Sequence, residues 1–97
     1  MSVTIHMVEV EGKRAIGIKV ELEPAPFLMI KADNGILSCG FINIEAAEKI
    51  GLAAAMVSGV KTFEDVLKAS VKALTTQARK RGIEKGMPGR EALLNLF

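Results

Sequence analysis

The sequence predicts an α+β protein: N-terminal antiparallel β-hairpins forming a sheet, a short β-α-β segment, and C-terminal helices packed on the sheet. Three observations carry this. Apolar residues between 3 and 42 recur mostly at every second position, between turn residues. From Thr62 onward the apolar spacing changes to three and four, the period of a helix. Strands therefore come first and helices second, the order of an α+β chain rather than an alternating one.

Ser2 to Val10 and Ala15 to Leu22 read as two strands joined through Glu11-Gly12-Lys13-Arg14. The second alternates cleanly, with Ile16, Ile18, Val20 and Leu22 on one face and Ala15, Gly17, Lys19 and Glu21 on the other. In the first, the phase of Val3, Ile5 and Met7 slips to Val8 and Val10, as in a bulge or a strand covered on both faces. His6 falls opposite Val3 and Ile5. Glu23-Pro24-Ala25-Pro26 leaves the sheet, because neither proline can donate a ladder bond.

A second hairpin spans Phe27 to Ile42. Asn34-Gly35 suits a type I′ turn, whose two central residues both need positive φ. With that pair as the loop, Asp33 faces Ile36, Ala32 faces Leu37, Ile30 faces Cys39 and Leu28 faces Phe41. One face then holds Leu28, Ile30, Ala32, Leu37, Cys39 and Phe41, all apolar.

Asn43 is an N-cap for a short helix over Ile44 to Ile50, with Gly51 placed to end it. Ala54 to Val60 reads as a strand parallel to the second arm of the hairpin, joined to it by a right-handed crossover. Thr62-Phe63-Glu64-Asp65 resembles a capping box. Ser70 is expected to restart a helix with Val71, Leu74 and Ala78 inward, Arg79-Lys80-Arg81 in its last turn and Gly82 as its cap. A final helix is expected to start with Pro88 at its first position and to continue over Arg90 to Phe97.

At 97 residues the chain is read as one domain, 1–97, with 1–42 β-rich and the oligomerisation region, and 43–97 mainly helical. Hydrophobic residues make up 49%, almost all aliphatic, with four Phe, five Met and neither Trp nor Tyr. So small a domain has too little interior for them, and a subunit interface is the outlet. One cysteine excludes an intrachain disulfide and suits a reducing compartment. No basic segment followed by a long apolar run opens the chain, and no apolar run reaches ~18 residues. The expectation is a cytoplasmic protein with no membrane partner.

Asn34-Gly35…Cys39-Gly40, Gly59-Val60-Lys61-Thr62-Phe63-Glu64-Asp65-x-Leu67 and Gly82-Ile83-x-x-Gly86-Met87-x-Gly89-Arg90-Glu91-Ala92-Leu93 together resemble the YunC-like family. These are small prokaryotic proteins classed as a domain of unknown function. The resemblance covers roughly residues 3–97. It implies an α+β fold whose N-terminal β region mediates tetramer formation, and no established activity, cofactor or catalytic residue. Pro88 departs from the small hydroxyl residue expected there, removing a hydroxyl and a backbone donor.

Candidate catalytic residues are Cys39, Asp33 and His6. Cys39 as a nucleophile needs a helix N-terminus, a cation or a base beside it. In the register above it faces Ile30, where a thiol packs as a small hydrophobe. Asp33 is explained by turn chemistry. His6 is the one histidine, and no ligand set at metal-binding spacing accompanies it, so neither a metal nor another cofactor is expected. Candidate ligand-binding residues are Lys61, Lys85, Gly86, Gly89 and Arg90. The last four open a helix, where spare amides attract an anion, but the spacing matches neither nucleotide-binding glycine motif.

Residues 66–97 hold seven Lys/Arg against two Asp/Glu, net +5, while 1–65 hold six against nine, net −3. This basic tail offers charge for phosphate contact, yet no aromatics interleave for base stacking, and a solvated helix face accounts for the charge. The sequence therefore points to a homo-oligomer acting as a non-catalytic module that binds a partner or a small anionic ligand. The alternative is a small enzyme with a composite site at the subunit interface, combining Asp33, Cys39, Lys61 and Arg90. Weak nucleic-acid binding through the C-terminal helices ranks third.

Overall fold

The computed structural model describes residues 2–97. Strands β1 (Val3–Val10), β2 (Lys13–Val20), β3 (Phe27–Ala32), β4 (Gly35–Ser38), β5 (Ala54–Met56) and β6 (Ala73–Leu74) form one sheet in that spatial order. Neighbours are antiparallel except β4 and β5, which are parallel and joined through helix α1 (Ile44–Lys49). Helices α2 (Phe63–Lys68), α3 (Thr76–Lys80) and α4 (Gly89–Leu94) follow β5, with β6 between α2 and α3. This is the small α+β fold that the sequence predicts, with a mixed sheet that reaches into the C-terminal half.

The first hairpin turns through Glu11 (φ 48°) and Gly12 (φ 80°), so the all-positive turn sits here. Its ladder runs unbroken from Val3↔Val20 to Val10↔Lys13, which corrects the expected bulge. The two apolar phases of β1 are two real faces. Val8 and Val10 point into the core, whereas Val3, Ile5 and Met7 point away from it.

The register expected for the second hairpin is also corrected. Ala32 pairs with Gly35, Ile30 with Leu37 and Met29 with Ser38, so the loop is Asp33-Asn34 and the pairing slips by two. Gly35 serves close approach rather than positive φ: a Cβ there would run into the Ala53 carbonyl oxygen and Leu96. The Asn34 amide donates to the Leu96 carbonyl at 2.7 Å, tying the tip to the C-terminal segment. A two-residue slip preserves the faces. Leu28, Ile30, Ala32, Leu37 and Cys39 therefore still share the buried side, while Phe41 lies beyond the strand, exposed.

Asn43 caps α1 by accepting from the Ala46 amide at 3.0 Å, and Gly51 (φ 76°) follows its end. The helix expected from Ser70 to Arg81 is replaced by the two-residue strand β6 and the short α3. The free edge of β5 recruits this segment: Lys72 N–H donates to Met56 O at 2.7 Å and Thr75 N–H to Ala54 O at 3.0 Å. Thr75 is the buried hinge. Its hydroxyl donates to Leu52 O (2.7 Å) and accepts from the amides of Ala54 (3.0 Å) and Ala78 (3.3 Å). Pro88 is the N-cap of α4, one residue before its expected place.

The core lies between one sheet face and α2 to α4, centred on Leu28, Ile30, Leu37, Val66, Ile83, Leu93 and Leu96. On that face β2 offers Ala15 and Gly17, because Phe63 lies against Gly17: a Cβ there would come within 2.8 Å of its ring. The large aliphatic side chains of β2 thus face the other way. By register, Val3–Val20–Phe27, Ile5–Ile18–Met29 and Met7–Ile16–Lys31 are three rows across that opposite face. Toward β5 this face holds the buried Ala54, and α1, which packs on β5, contributes the buried Ala47. Over β1 and β2 it is bare, with Val3 57%, Ile5 73%, Met7 60% and Ile16 44% exposed.

Candidate functional site

Parallel strands β4 and β5 end side by side, and the chain leaves both carboxyl ends through glycine-containing turns, Cys39-Gly40-Phe41 and Ser58-Gly59-Val60-Lys61. Together with Ala25 and Pro26 of the connector before β3, these turns line an open cleft of about 290 Å³. Ligands of open sheets bind in such a crevice, because the strand exits diverge there and leave backbone groups available. The floor is fixed by ladder bonds that outrun the strands: Cys39 N–H to Leu28 O at 2.9 Å and Val57 N–H to Ser38 O at 2.8 Å.

Cys39 lies at the floor, buried, and its Sγ accepts from the Leu28 amide at 3.4 Å. Lys61 stands at the rim. Its amide donates to Asp65 Oδ2 at 3.1 Å while Thr62 Oγ1 accepts from the Asp65 amide at 3.0 Å. Asp65 thus closes a widened capping box around Lys61 instead of Thr62. The backbone at Lys61 is pinned, and its side chain remains exposed. Among the described residues no carboxylate lies within ion-pairing distance of its ammonium. The remaining walls are mostly apolar: Pro26, Phe41 and Val60. Such a cleft suits a molecule with an apolar body and one anionic group, the anion meeting the ammonium by a charge-assisted hydrogen bond.

Of the sequence candidates, Cys39 and Lys61 are brought together in this cleft, and the others do not line it. His6 is exposed on β1 and its ring tilts against Phe63, centroids 5.9 Å apart. Asp33 is exposed in the β3–β4 turn. Arg90 is 4.0 Å from Glu11, an exposed pair. The glycine-rich loop before α4 uses its amides internally: Gly86 donates to Val71 O, Met87 to Glu84 O and Gly89 to Ala69 O. Gly89 is glycine because a Cβ would strike the Val66 carbonyl. Lys85 is exposed beside that loop, which offers an anion none of these three donors. On the basic face, the Glu64 carboxylate hydrogen-bonds the Lys68 ammonium at 3.0 Å and raises its pKa, as in a solvated i,i+4 pair. Among the described residues no three His, Cys, Asp or Glu side chains gather as metal ligands do.

Sequence reasoning missed Phe41, Ser58 and Val60. Their signal was present in the strand–helix–strand reading, since two parallel strands followed by Gly-containing exits mark a crevice at their carboxyl ends.

Comparison with known proteins agrees with this fold. A family model described as a domain of unknown function (DUF1805) matches residues 38–96, which include both strand exits and leave β1 to β3 outside. The uncharacterized protein YunC of Bacillus subtilis (strain 168) is 31% identical over 99 residues, covering 98% of each chain. The crystal structure of TA1206, a protein of unknown function from Thermoplasma acidophilum, superposes with a TM-score of 0.94. It is 36% identical, over 99% of this chain and 94% of that one. The chain is a member of the DUF1805 family and resembles YunC along nearly its whole length.

Proposed function

We propose that the chain is a non-catalytic, self-associating binding module of the cytoplasm. Copies join through the bare face of β1 to β3 and assemble to a tetramer, and each holds a small anionic molecule in the cleft beyond β4 and β5. The observation that carries this reading is the bare face itself. Four large aliphatic residues stand exposed on it, while α2 to α4 cover the other side and α1 covers this one only toward β5. Scattered apolar residues need no partner, but a contiguous patch on a regular sheet marks an association site.

Support for the ligand comes from the cleft, which offers one ammonium, a buried thiol and apolar walls. Calorimetric titration with phosphate and a series of aryl carboxylates tests it. A member of the series binds wild-type protein, and Lys61→Met weakens it about tenfold or more, the loss of one charge-assisted bond. No binding at millimolar concentration, or equal binding by Lys61→Met, contradicts the reading.

One observation favours the alternative of a small enzyme: Cys39 and Lys61 share the cleft. Thiol titration separates the two. Catalysis by the thiol requires Cys39 to react in the folded protein and Cys39→Ser to abolish turnover, whereas the binding module keeps its ligand in Cys39→Ser.

A further inference from the structure

We propose that a second copy of the chain closes the mouth of the cleft, so that each ligand site is completed by two subunits and binding and assembly reinforce one another. This rests on the assembly reading above. The link is a pair of aromatic rings. Phe27 ends the row Val3–Val20–Phe27 on the bare face. Phe41, a wall of the cleft, stacks on Phe27 with centroids 6.2 Å apart and planes at 21°. Bare face and cleft rim are therefore one continuous apolar surface.

The exposed apolar area is that of a subunit contact. At roughly 200 Å² for a fully exposed large aliphatic residue, Val3, Ile5, Met7 and Ile16 present on the order of 450 Å², about the apolar share of the ~800 Å² that each partner buries in a stable interface. Phe41 (59% exposed) and Leu22 (46%) are the other large apolar residues exposed at that end of the sheet. Including them brings the apolar patch to roughly 700 Å², more than the apolar share of a standard interface. A contact that buries the whole of this continuous patch covers Phe41, and with it the cleft mouth. A ligand enclosed this way binds the assembled form better than the free chain, and by linkage it tightens assembly by the same factor.

Cys39, the one cysteine and the cleft floor, is a built-in reporter. Its alkylation by iodoacetamide is followed in wild-type protein at a concentration where sedimentation shows assembly, and in Ile5→Lys, which places a charge on the bare face. Dilution of wild-type protein through its own dissociation range provides the same comparison should Ile5→Lys fail to fold. The expected result is alkylation at least about tenfold slower in the assembly than in the dissociated chain. Equal rates in assembled and dissociated protein overturn the shared cleft while leaving assembly intact. A thiol that reacts in the dissociated chain only on global unfolding also overturns it, since the cleft then does not open onto Cys39. Wild-type protein that is monomeric at 100 µM removes the assembly reading and this one together.

Discussion

Replacing Ile5 with threonine separates a residue that serves the fold from one that serves association. In the single chain Ile5 is 73% exposed, in the middle row of the bare face beside Ile18. Threonine keeps the β-branch, so strand propensity is retained and the stability of the isolated chain should change by no more than about 0.5 kcal/mol. Across a subunit contact the same change removes buried carbon and leaves a hydroxyl to be desolvated, together about 2 kcal/mol. A two-fold contact contains the residue twice, giving about 4 kcal/mol and an association roughly a thousandfold weaker. Denaturant unfolding at submicromolar concentration reads the first quantity, and a sedimentation-velocity dilution series reads the second. The reasoning is refuted if Ile5→Thr lowers the stability of the single chain by more than about 1.5 kcal/mol, because Ile5 is then core. It is equally refuted if association changes less than threefold.

Four further outcomes rest on the packing and charge. Thr75→Val strands the Leu52 carbonyl and the Ala54 amide that its hydroxyl satisfies. It should cost about 3 kcal/mol and lower the thermal midpoint by 10 °C or more, with Thr75→Ser far milder. Gly35→Ala forces a methyl against the Ala53 carbonyl and Leu96, and should destabilise by at least about 2 kcal/mol in guanidinium unfolding. Gly40→Ala, with nothing within 4 Å, should remain within about 0.5 kcal/mol of wild type. The basic C-terminal residues should give no retardation of duplex or single-stranded DNA at ~50 mM salt, where nonspecific binding would be strongest.

The alternation in the first 42 residues was legible because sheet periodicity is local, and so were the helix caps at Asn43 and Thr62 and the parallel crossover. Lost information was tertiary. Asn34-Gly35 reads as a turn because glycine tolerates positive φ, yet Gly35 is glycine because Ala53 and Leu96 pass close to it. Ser70 to Arg81 carries a helical pattern, yet the open edge of β5 offers backbone bonds worth more than local propensity. The cleft was half legible: Cys39 and Lys61 were singled out separately, and only the parallel pairing of β4 and β5 brings their loops together. On β2, the face that looks most like core, Ile16, Ile18 and Val20, turns away from the helices, since Phe63 needs the space over Gly17.

The proposed assembly, and the shared cleft that rests on it, depend on the bare face having a partner of its own kind. Light scattering coupled to size-exclusion chromatography, with wild-type protein at tens of micromolar, measures that directly. The expected mass is a multiple of the 10.4 kDa chain, four copies in the full assembly, falling on dilution or on Ile5→Lys substitution. A single peak at 10.4 kDa across that concentration range would contradict the account.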